Sequence, residues 1–81
     1  MNADNQEFFE KVCRNLDHCI QIVNKELDYF DVKVSAGIIH ETLKEIEILI
    51  CLIGVFLDME PGYVDGKVSG FFINKFGNYS A

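Results

Sequence analysis

Ten consecutive residues, Ile48 to Leu57, carry no polar side chain. A helix built from them is apolar all round and a strand is apolar on both faces, so either form needs cover on more than one side. A bilayer is not that cover. A spanning helix takes about 20 such residues, and His40, Glu41, Lys44, Glu45 and Glu47 fill the turns just before the run. The choice between helix and strand rests on phase. β-Branched residues and Gly54 suit a buried strand. Yet Ile39, Leu43, Ile46, Ile50, Ile53 and Leu57 form one stripe, at steps of three and four, that passes through the run unbroken. The favoured reading is a helix from about 36 to 59, capped by Ser35 and stopped by Pro61-Gly62.

An earlier stripe, Phe9, Val12, Cys13, Leu16, Cys19, Ile20, Val23, Leu27 and Phe30, lies among almost wholly polar positions and predicts an amphipathic helix over about 5–30. Its edge drifts from Val12 to Ile20 and Leu27, nearer 3.6 than 3.5 residues per turn, which predicts a short bundle helix rather than a long coiled coil. Asp4 and Glu7 have the spacing of a capping pair, and Glu7 with Lys11 and Glu10 with Arg14 have that of helix-surface ion pairs. Asp31 to Ser35 reads as a short extended linker that reverses the chain. The last segment, 62–81, holds five of the ten aromatics. Asp65-Gly66 suits a tight hairpin turn, and Ser69-Gly70 leading through Phe71 to Phe76 and Gly77 suits a short helix; a turn followed by that helix is favoured. The expected fold is all-α, one domain over 1–81: an antiparallel two-helix hairpin with a short aromatic-rich C-terminal element.

Only 81 residues are available to build a core, and a domain of this size buries about 60% of the surface its unfolded chain exposes. A two-helix hairpin covers one face of each helix, which leaves Ile48, Leu49, Cys51, Leu52, Val55 and Phe56 off the stripe of the second. Fully burying such residues contributes about 1.5 to 3 kcal/mol each, so the group rivals the whole stability of a small domain. Three covers are open: the aromatic C-terminal segment, a second copy that completes a four-helix bundle, or a different protein. The homodimer is favoured, with Leu49, Leu52, Val55, Phe56, Phe72 and Phe76 as the interaction residues. Three cysteines, an odd number, and an acidic polar start without a secretory apolar stretch point to a reduced cytoplasmic protein.

Residues that carry chemistry do not converge in the sequence. His40-Glu41 early in a helix resembles the phosphoacceptor helix of histidine kinases and related phosphotransfer bundles, which implies His40 as phosphoacceptor and Glu41 as its proton partner. The resemblance departs where that family carries a proline and a small polar residue; Lys44 and Glu45 stand there instead. Arg14 and His18 are closer together than the pair of helical nucleases. Cys13 and Cys19 fall on the apolar stripe and His18 off it, so they do not share a metal ion and read as small buried hydrophobes. Glu7, Glu10, Glu41 and Glu45 do not face one another as the paired acidic motifs of helical nucleotide pyrophosphatases do. A net charge of −6 invites nucleic-acid mimicry, but −4 over residues 1–31 is dilute beside a duplex carrying a charge every ~1.7 Å. Direct nucleic-acid binding has only Lys67 and Lys75 among the late aromatics to meet phosphates. The expectation is a small acidic protein, not an enzyme, with no metal or cofactor. It would bind protein as an adaptor, chaperone or inhibitor of a larger machine, with His40 phosphotransfer and nucleic-acid mimicry as alternatives.

Overall fold

The computed structural model describes residues 3–70 and 79–80, and the chain is predominantly helical. The first stripe folds as α1, Ala3–Tyr29, and the second as α2, Ala36–Phe56; a further helix, α3, spans Pro61–Gly70. Ser35 caps α2, its side chain accepting from the Ile38 amide at 3.3 Å. Asp4 is not a cap, because α1 begins one residue before it; it sits in the first turn, where the helix dipole favours a carboxylate.

Both long helices stop by the same device. After α1, Val32 N–H donates to Leu27 O at 2.8 Å and Asp31 N–H to Asp28 O at 3.2 Å, with Asp31 in the left-handed region at φ 52°. After α2, Met59 N–H donates to Gly54 O at 2.9 Å and Asp58 N–H to Val55 O at 3.1 Å, with Asp58 at φ 54°. These are Schellman closures, with aspartate where glycine is usual. They correct two expectations. The second helix ends at Phe56, not near 59, and Pro61 does not stop it. Instead Pro61 opens α3 as its first residue, where a missing N–H costs nothing. Asp65-Gly66, expected in a hairpin turn, lies inside α3. The expected helix over 71–76 lies outside the described residues.

The core is a file of side chains from all three helices. Phe9, Cys13, Leu16 and Ile20 come from α1, Ile39, Leu43, Ile46, Ile50 and Ile53 from α2, and Val64 and Val68 from α3. Phe9 and Ile50 are fully buried at its centre. On α1 and α2 the inward residues step four and three alternately, a 3.5-residue repeat instead of the expected drift. Cys19, Val23 and Phe30, read as part of the first stripe, are exposed. The ends of the helices are tied together: Asn5 Nδ2 donates to the Leu57 carbonyl at 3.1 Å, satisfying an acceptor that the end of α2 would leave open.

With three glycines and a proline in ten residues, α3 has little intrinsic stability and holds by tertiary contact. Val64 packs directly on Gly54 of α2; a Cβ there would lie 2.8 Å from Val64 Cγ2. The other flank is polar. Tyr63 Oη donates to Glu10 Oε1 at 2.6 Å, Lys67 Nζ approaches the same oxygen at 4.0 Å, and the Tyr63 ring lies against Phe9 with centroids 5.9 Å apart. A two-residue parallel pairing sets Val34 opposite Tyr79 and Ser35 opposite Ser80.

Candidate functional site

The apolar run at the end of α2 divides between two environments. Ile50, Ile53 and Gly54 face the core and α3. Ile48, Leu49, Leu52, Val55 and Phe56 stand outside the core and form an exposed ridge, from about half bare at Leu49 and Leu52 to 77% at Val55 and 87% at Phe56. Four of the six predicted interaction residues, Leu49, Leu52, Val55 and Phe56, therefore share one face, with Ile48 joining them. Phe72 and Phe76 lie outside the described residues. Beside the ridge a shallow pocket of about 270 Å³ opens among Lys44, Glu47, Ile48, Cys51, Leu52 and Val55.

A second apolar feature had no signal in the sequence. The C-terminal half of α1 and the N-terminal half of α2 stand apart enough to leave an open groove of about 380 Å³. Leu16, Ile20, Val23, Leu27, Ile38 and Ile46 line it, and its hydroxyl, on Thr42, is already spent on the Ile38 carbonyl at 2.9 Å. The groove has apolar walls and no polar group to orient a ligand, so it offers area without chemistry. At the far end of α1 the exposed Tyr29 and Phe30 rings meet edge to face, 4.9 Å between centroids. Phe30 leaves the stripe because the chain turns at Asp31.

The polar candidates stay apart. His40 is exposed on the first turns of α2, with Glu41 beside it also exposed; Arg14 and His18 are exposed on α1. Cys13 is buried, and burial pushes its thiol above the usual range. Cys51 is half-buried. Cys19, expected inside, is exposed. No group of three or more metal-ligating side chains comes together among the described residues. A tight polar cluster, Tyr63, Glu10 and Lys67, escaped the sequence because Glu10 lies 53 residues or more from its two partners on α3. The Tyr63 hydroxyl, and after it Lys67, hold the Glu10 carboxyl below its usual range, while burial and then Glu10 itself hold the Tyr63 phenol above its own. A protonated tyrosine donating to an ionised carboxylate is a fastening of α3 to α1, with neither group poised to give or take a proton near neutral pH.

Among the described residues no helix is long and apolar enough to cross a membrane. No protein-family model, curated protein or solved structure matches this chain.

Proposed function

We infer that the chain acts by binding protein through the outer face of α2, as an adaptor, chaperone or inhibitor, without catalysis of its own. The observation that carries this reading is the exposed ridge Ile48, Leu49, Leu52, Val55 and Phe56. A contiguous apolar patch of this extent on a small monomer is the usual mark of an interaction surface. In this reading α1 and α2 pair as an antiparallel hairpin, α3 takes one flank of α2, and another chain takes the flank left bare. A second copy closing a four-helix bundle and a different protein each meet that need. Three free thiols suit a reducing compartment, so the cytoplasm is the proposed location.

The test compares Leu52→Asp, Phe56→Asp and His40→Ala with the unmodified protein by light-scattering mass and by capture of partners from its host. The reading predicts that the mass above monomer, or the captured partner, is lost in both aspartate variants and kept in His40→Ala. An unchanged mass and unchanged capture in the aspartate variants overturn it.

A further inference from the structure

The ridge on α2 is bordered by negative charge. Glu41 and Glu45 precede Leu52 by eleven and seven residues, which at 100° per residue sets each within about 20° of it around the helix. Both are exposed, and Glu47 lines the pocket beside the ridge. At the other end the last turn of α2 carries no basic residue to offset its negative pole, and the exposed Asp58 and Glu60 follow. Glu41, Glu45 and Glu47 thus border the ridge at one end, Asp58 and Glu60 follow it in the chain, and Asp65 lines a pocket with Val55, while Lys44 is the basic residue beside it.

Magnitudes show that this border matters. The five exposed side chains present roughly 500 Å² of apolar surface. Covering that much apolar surface does little more than offset what association itself costs. The apolar ridge alone therefore gives marginal binding, and the charges around it select the partner. A second copy fits poorly. Parallel pairing opposes Glu41 and Glu45 to themselves, and antiparallel pairing about Leu52 brings Glu45 and Glu47 towards Asp58 and Glu60, with Lys44 alone to offset them. Two copies also bring together −6 each.

Resting on the reading that this face binds protein, we propose that its occupant is a basic amphipathic helix of a partner protein, apolar along one side and rich in lysine or arginine along its edges. Its apolar side covers Ile48, Leu52, Val55 and Phe56, and its cations meet Glu41, Glu45 and Glu47 at one end and Asp58 and Glu60 at the other.

The probe is a synthetic peptide of about 18 residues, five helical turns, with leucines at i, i+3, i+4 and i+7 spacing and lysines elsewhere. Two controls accompany it: a scrambled peptide of the same composition, and one with glutamate for lysine. Binding is followed by fluorescence titration and by NMR shifts of the labelled protein. The expected result is binding by the patterned lysine peptide alone, with the largest shifts at Ile48, Leu52, Val55 and Phe56. Affinity should fall about tenfold or more between about 50 and about 500 mM salt, and by a similar factor in Glu41→Lys/Glu45→Lys. Equal binding of the scrambled or glutamate peptide, shifts centred on the α1–α2 groove, or no binding overturns the proposal. So does a stable dimer of the chain that buries Leu52. Such a dimer, lost in Leu52→Asp, leaves protein binding by α2 standing while removing the basic helix; a face inert to peptides, to itself and to host proteins removes both.

Discussion

Tyr63 Oη lies 2.6 Å from Glu10 Oε1, a bond that spans 53 residues of sequence and joins the weakest helix to the longest. Glu10 is held below the usual carboxylate range, so its contribution to stability is present above about pH 4.3 and is lost as the pH falls through the lowered value. Tyr63 is held above the usual phenol range, so its contribution is present below about pH 10 and is lost as the pH rises further. Tyr63→Phe should lower the melting temperature by a few degrees at neutral pH. The gap from the unmodified protein should narrow in acid below pH 4 and in base above pH 10. Thermal melts across that range, followed by circular dichroism, check both limbs; a gap independent of pH would show that the loss is one of packing alone.

Two glycines inside helices should respond in opposite ways to alanine. At Gly66 a Cβ meets nothing within 4 Å, so Gly66→Ala should stabilise α3 by roughly 0.5 to 1 kcal/mol through helix propensity. At Gly54 the same gain is outweighed, because the new methyl would meet Val64 Cγ2 at 2.8 Å and valine has little rotamer freedom to yield. Overpacking of this kind costs about 1 to 3 kcal/mol. Chemical denaturation of Gly54→Ala, Val64→Ala and the double variant gives the coupling, and the double variant should be more stable than the sum of the single losses allows.

The aspartates that close α1 and α2 are strained twice, by a left-handed backbone and by a carboxylate at the negative pole of a helix. Asp31→Gly, well away from the ridge, should raise stability by about 1 kcal/mol. Equilibrium unfolding measures it; a loss of stability would mean that the Asp31 side chain makes a contact worth more than the strain.

Core and ridge should separate cleanly. Phe9→Ala and Ile50→Ala each remove a fully buried side chain and should cost about 3 to 5 and 2 to 5 kcal/mol respectively. Phe56→Ala, on a residue 87% exposed, should change monomer stability by no more than about 0.5 kcal/mol. Denaturation midpoints at low protein concentration make the comparison.

Much of this architecture is legible in the amino-acid order, and the failures have definite causes. The stripes of α1 and α2 announce both helices, because apolar spacing is a local property and Ser35 marks a boundary by chemistry of its own. The exposed ridge follows by subtraction: α2 has more apolar residues than one packing face can use. The end of α2 was hidden because aspartate, not glycine, adopts the left-handed closing position at Asp58. Helix α3 was hidden because its glycines argue against any helix, and the contacts that hold it, Gly54, Glu10 and Phe9 among them, lie outside its own segment. The burial of Cys13 beside the exposure of Cys19 depends on a third of a turn of phase that composition does not fix.

The central claim is that the outer face of α2 meets another protein, and site-specific photo-cross-linking in the host tests it most directly. A photoreactive phenylalanine analogue at Leu52, on the ridge, should yield a discrete protein adduct of a different, basic partner, and the same group at the exposed Lys25 of α1 should not. No adduct at Leu52 above that seen at Lys25 would contradict the account.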